Sequence, residues 1–212
     1  MVSRVSYRPF DEGDFNEIAI ILQEAWHDAV APTPGYAFLE ACCDLAHSLS
    51  ISTFSQVALI DGAPRGIVLA RSNSLRVPVA GRWQRACEDF YKQMAATEPH
   101  AAASYHHFIS SMDRVNEKLL RKSGLPDSNE ITLLAVSESA RGLGIGGVLL
   151  DAVASYLASH GAQQAFLYTD TSCAWPFYEQ YGLKRAAAHK ATRDERKVLP
   201  KEMYLYGLDL TR

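Results

Sequence analysis

Hydrophobic and polar positions divide the chain into two differently patterned halves. In FNEIAIILQEAW, residues Phe15, Ile18, Ile21 and Leu22 recur at helical spacing, with Asp11 and Asp14 placed ahead of them as caps. A short strand precedes this helix within residues 2–8. The segment APTPG at 31–35 breaks the helix, and YAFLEACCDLAHSL at 36–49 predicts a second one. The runs 54–60 and 66–71 are β-rich and flank Asp61-Gly62-Ala63-Pro64-Arg65, which predicts a hairpin with its loop at 61–65. Residues 72–128 change character. RWQRACEDFYKQM (82–94) and ASYHHFISSMDRVNEKLLRKSG (103–124) are helical in spacing, with Pro99 between them and Gly124 as the C-cap.

From residue 130 strands and helices alternate. EITLLAV is a strand, a glycine-dense loop leads into a helix over 145–160, and QAFLYTD is the next strand. CAWPFYEQYG predicts a short helix ended by Gly182. LKRAAAHKA and EMYLYGLDL are two final strands joined by TRDERKVLPK. The order β-α-α-β-β-(helical insert)-β-α-β-α-β-β predicts an α/β fold. Its sheet of about seven strands is mixed and has helices on both faces, with the insert 72–128 between strands 3 and 4. All 212 residues are read as one domain.

Composition narrows the function classes. Hydrophobic residues make up 48% and charged residues 21%, an ordinary globular balance. A net charge of -3 gives no overall basic field, so neither nucleic acid nor a membrane surface is expected as partner. No apolar run approaches the length of a membrane span or of a signal peptide. Cys42, Cys43, Cys87 and Cys173 show no C-x-x-C spacing, so a cytoplasmic protein with ordinary thiols and no metal is expected. His106-His107 are adjacent on a helix and point about 100° apart, a poor metal pair.

The stretch ARGLGIGGVLLDAVASYL carries the chemistry. It holds four glycines in six residues: Gly142, Gly144, Gly146 and Gly147. Gly142, Gly144 and Gly147 satisfy G-x-G-x-x-G, but Ser137 to Arg141 separate the loop from its strand, which argues against a dinucleotide turn. No Gly-Lys-Ser/Thr follows, so a phosphate-loop lysine is absent too. Two readings remain: a turn shaped only for packing, or a phosphate cradle. In the cradle, backbone N–H groups, the helix N-terminus and Arg141 together hold an anion.

Residues 130–183 resemble the GCN5-related N-acetyltransferases (the GNAT family). Arg141, Gly144 and Gly146 match its R/Q-x-x-G-x-G/A motif, and PFYEQYGL resembles its F-Y-E-x-x-G-F helix end, with Leu183 in place of phenylalanine. The resemblance implies the acyl-CoA N-acyltransferase fold, a mostly antiparallel twisted sheet, and acetyl-CoA as cosubstrate. It implies that Leu134, Ala135 and Val136 pair with the pantetheine arm. Residues Gly142, Leu143, Gly144, Ile145, Gly146 and Gly147 would receive the pyrophosphate. Thr171 stands where many members carry an asparagine that contacts the cofactor.

The same resemblance gives Tyr178 the role of acid to the leaving thiolate, the alternative being a tyrosine packed on the sheet. Glu130, eleven residues before Arg141, matches a glutamate that serves as base in one branch. It reads equally as a solvated charge at a strand start. Cys173 opens the tyrosine helix, where a thiol pKa can fall, but as one of four ordinary cysteines it is expected to be inert. Lys184, Arg185, Lys190, Arg193, Arg196 and Lys197 read as a solvated edge or a contact for the coenzyme's 3′-phosphate. Trp83, Phe90, Tyr91, Tyr105 and Phe108 of the insert read as core, with an acceptor wall or a homodimer surface as the functional alternative. The expected activity is acetyl transfer from acetyl-CoA to a primary amine, small-molecule or protein. The competing expectation is a non-catalytic acyl-CoA-binding module.

Overall fold

The computed structural model describes residues 4–27, 33, 35–77 and 79–211. Seven strands form one sheet: β1 (Val5–Arg8), β2 (Phe54–Ile60), β3 (Ala63–Ser72), β4 (Asn129–Val136), β5 (Gln164–Asp170), β6 (Lys184–Lys190) and β7 (Glu202–Asp209). Their spatial order is β1-β2-β3-β4-β5-β7-β6. Every neighbouring pair is antiparallel except β4 and β5. The helices are α1 (Phe15–Trp26), α2 (Tyr36–Ile51), α3 (Ala80–Thr97), α4 (Pro99–Ser123), α5 (Ile145–Ser159) and α6 (Pro176–Tyr181). The mixed, mostly antiparallel sheet with helices on both faces is the predicted architecture.

Period-two alternation sends side chains to opposite faces. Val57, Leu59, Ile67 and Leu69 meet Ile18 and Leu22 of α1, Leu45 of α2 and Trp83 of α3. Ala58, Val68, Ala165, Leu167 and Tyr206 meet Leu149, Leu150 and Val153 of α5 on the other side. Val115 and Leu119 of α4 cover Phe166, Met203 and Leu205, which alternate with the α5-facing residues. Thus α1 to α4 form one layer, and α5 and α6 the other.

The hairpin turn is shorter than expected. Asp61 and Gly62 alone make it, with φ of 51° and 87°, and Ala63 already pairs with Ile60. Pro64 lies inside β3, opposite Leu59, where the register shifts between Ala58 and Leu59. A bulge accommodates a proline within a strand, so the loop signal there is overridden. Pro99 likewise does not separate α3 from α4 by a loop: it begins α4, where its missing N–H costs nothing. Gly124 is the left-handed C-cap, with φ of 71°. Asp11 caps the turn before α1 by accepting from the Gly13 N–H, whereas the Asp14 carboxylate turns to Arg8 at 2.6 and 2.7 Å. Ala31, Pro32 and Pro34 of the predicted break, and Val2 and Ser3 of the predicted first strand, lie outside the described residues.

Candidate active site

The parallel pair β4–β5 is barely a pair. Its ladder consists of Glu130 opposite Phe166 and goes no further. On its other side β4 stays paired with β3 up to Val136, opposite Gly66. The backbone of β4 after Glu130 is therefore held by one neighbour only, and its β5-facing edge opens into a cavity of about 790 Å³. Ile131 to Val136 line one side, and Leu167, Tyr168 and Thr169 of β5 the other. An open strand edge of this kind is a template for an extended amide-bearing ligand.

The glycine loop closes one end. Arg141, Gly142, Gly144, Ile145, Gly146 and Gly147 all border the cavity. Gly142 and Gly144 have φ of 79° and 77°, which L side chains rarely adopt. Gly144 is the N-cap of α5, so the free N–H groups of the first helical turn face the cavity end. This is the backbone arrangement a pyrophosphate requires. The residues present therefore fit a coenzyme with an amide-bearing arm and a diphosphate.

Helix α6 supplies Tyr178 to the lining. Phe177 packs on the glycine helix, and the Tyr181 hydroxyl donates to the Asp151 carboxylate on α5. At the back of α6, Arg185 donates to Glu179 at 2.7 Å and to the Tyr206 hydroxyl at 2.8 Å, and stacks 4.0 Å over Tyr204. Burial raises the Tyr178 phenol well above its ordinary value, and neighbouring Cys173 adds to the rise. The Tyr178 phenol is thus protonated at neutral pH. Cys173 also lines the cavity, but burial pushes its thiol up to about 11, with Asp170 adding to the rise. No helix N-terminus adjoins Cys173 to lower it, since α6 begins only at Pro176.

Three predicted site residues stand outside the lining. Leu143 points outward and is 61% exposed. Thr171 pairs with β7: its N–H donates to the Glu202 carbonyl at 3.0 Å, and its Oγ1 accepts from the Glu202 N–H at 3.3 Å. Glu130 is next to the wall but pairs with Arg71 at 2.8 Å, and Arg71 also binds Asp127. Burial raises the Glu130 carboxyl, and the Arg71 charge offsets that only in part.

The far wall comes from α1, whose residues the sequence did not single out for a site. Ile21, Glu24, Ala25 and Trp26 of α1 border the cavity from the layer opposite α5, so the opening reaches both faces of the sheet. The insert aromatics do not form this wall. Trp83 and Phe90 stack on Phe15 at 5.3 and 5.8 Å, and Phe108 of α4 packs against the cluster of Phe166, Met203 and Leu205. The basic residues of 184–197 lie on or beyond the edge strand β6, away from the lining. His189 meets Glu195 at 3.2 Å, and Trp175 packs on Tyr204. Among the described residues no cluster of metal-ligating side chains occurs, and no helix is long and apolar enough to cross a membrane.

Comparison with known proteins gives a family match and a set of shared folds. The family model described as an acetyltransferase (GNAT) domain matches residues 78–204, which includes both insert helices. A sequence search of curated proteins finds no match. Among solved structures, a polyamine N-acetyltransferase of Drosophila melanogaster, which forms N-acetylagmatine, superposes with a TM-score of 0.59 at 14% identity. That match covers 97% of this chain and 100% of that one. The ribosomal-protein-S18-alanine N-acetyltransferase of Escherichia coli gives 0.55 at 12% identity, covering 99% and 96%. An N-acetyltransferase of Staphylococcus aureus gives 0.54 at 16%, covering 99% and 100%. At these identities the superpositions show a shared fold, and the family match carries the assignment: the chain belongs to the GNAT acetyltransferase family.

Proposed function

We propose that the protein transfers an acetyl group from acetyl-CoA to a primary amine, by direct attack of the amine on the thioester. The observation that carries this reading is the opening at β4–β5, which joins a glycine-loop anion cradle on one face to the α1 wall on the other. Acetyl-CoA would supply the activated carbonyl. Its arm would lie along Leu134, Ala135 and Val136. Its diphosphate would meet the N–H groups from Gly142 to Gly147 and the Arg141 guanidinium.

Tyr178 would give its phenolic proton to the departing sulfur. Glu130 would take the amine proton through solvent, since its carboxylate stands just behind the wall. A carboxyl raised by burial is suited to that task. On the acceptor side, the Glu24 carboxylate and the Trp26 indole suit a cationic amine.

Calorimetry with acetyl-CoA, followed by thiol release with an amine panel, tests the reading. Polyamines, agmatine and an alanine-terminated peptide represent the acceptors of proteins with this fold. Tight acetyl-CoA binding with thiol release on at least one amine is expected. Binding without release across the panel would remove the catalytic assignment. Glu130→Gln should flatten the acidic limb of the rate profile, and an unchanged profile would assign the base to water alone.

A further inference from the structure

A pair of thiols meets away from the cavity. Cys43 on α2 is buried, and Cys87 on α3 is half-buried. Their Sγ atoms are 3.0 Å apart, and the Cys43 Sγ also lies 3.6 Å from the Cys87 carbonyl. A disulfide needs about 2.05 Å, so a relative shift of about 1 Å closes the bond. The other two cysteines are placed differently. Cys42 packs into the core under α1, and Cys173 lies beside Asp170. The pair is also chemically asymmetric. The shared contact holds the Cys87 thiol below its ordinary value, while the same contact and burial raise Cys43. Cys87 is thus the sulfur that is both less buried and more readily ionised.

We propose that Cys43 and Cys87 form a thiol–disulfide exchange site that takes a small-molecule disulfide of the glutathione class and closes into an intramolecular disulfide. The Cys87 thiolate attacks one sulfur of the external disulfide, forming a mixed disulfide and expelling one thiolate. Cys43 gives its proton to solvent and attacks the Cys87 Sγ, and the second external thiolate leaves. The two cysteines together lose two electrons, and the external disulfide becomes two thiols.

The bridge pins α3 to α2. Asp44, next to Cys43, binds His27 at the end of α1 and Tyr105 of α4. Oxidation would therefore fasten the helical layer that contributes the α1 wall. The site is independent of the acetyl-transfer reading, since neither cysteine lines the cavity.

The test treats the full chain with oxidised glutathione and follows intact mass, free thiols and a non-reduced digest. The treated chain should be about 2 Da lighter, lose two reactive thiols and yield a peptide linking Cys43 to Cys87. Its Tm should rise by on the order of 5 °C and return to the starting value with dithiothreitol. Cys87→Ser should show neither the mass loss nor the Tm rise. A stable glutathione adduct without ring closure, retention of all four thiols, or a linkage to Cys42 or Cys173 would overturn the proposal.

Discussion

The ring of Phe177 occupies the space that a side chain at Gly146 would need: its Cζ lies 3.0 Å from where a Cβ on that residue would stand. The contact holds the tyrosine helix against the first turn of the glycine helix. Gly146→Ala should push Phe177 away, cost about 1–3 kcal/mol, and weaken acetyl-CoA binding. At Gly147 a Cβ meets nothing within 4 Å. Gly147→Ala should therefore leave the fold intact or stabilise it by about 0.5–1 kcal/mol through helix propensity. Thermal unfolding of the two variants compares them, and equal losses would show that the ring contact is unimportant.

Tyr178→Phe should lower the maximal rate by about 10²-fold while the acetyl-CoA affinity stays near that of the unaltered protein. Because burial raises this phenol, the rate should show no alkaline fall from Tyr178 through neutral pH. A variant as fast as its parent would assign the proton to solvent.

His27 predicts a pH-dependent stability. Burial by itself would lower its pKa. The carboxylates of Asp44 at 2.9 Å and Glu40 at 3.1 Å outweigh that and push it up to about 9. The folded value lies above that of the unfolded chain, so the stabilisation is complete below about pH 6.5 and is lost as pH rises through 9. The loss should be on the order of 1–3 kcal/mol in urea titrations, and His27→Gln should abolish the slope.

Arg71→Met should destabilise the protein by about 2–3 kcal/mol, because it leaves Glu130 buried without its cation. Combining it with Glu130→Gln should recover much of that loss, since the unpaired charge is gone. Denaturant unfolding of the single and double variants measures the difference. A double variant as weak as Arg71→Met would locate the cost in lost packing.

Much of this was legible before the structure. Phe54–Ile60 and Gln164–Asp170 are strands at their predicted limits because apolar runs and turn residues bound them sharply. The glycine loop and Tyr178, which border the cavity, could be singled out because both motifs are local. Pro64 was misleading, since the bulge at Ala58 and Leu59 that admits it is a relation between strands. Ile21 shares the apolar face of α1 with Ile18 and Leu22 and is 4% exposed, yet it also borders the cavity with Glu24 and Trp26. Helical periodicity tells which side faces a sheet, not where that sheet has come apart. Thr171 matches the family position in sequence, but the start of β7 claims its hydrogen bonds.

The gap between β4 and β5 also has a kinetic consequence. A cavity lined from both layers of the sheet has room for two ligands without one having to leave before the other arrives. Under the proposed acetyl transfer, no side chain then needs to carry the acetyl group in the interval. Initial-velocity lines for acetyl-CoA at several fixed amine concentrations should therefore converge rather than run parallel, with both substrates present together before any product departs.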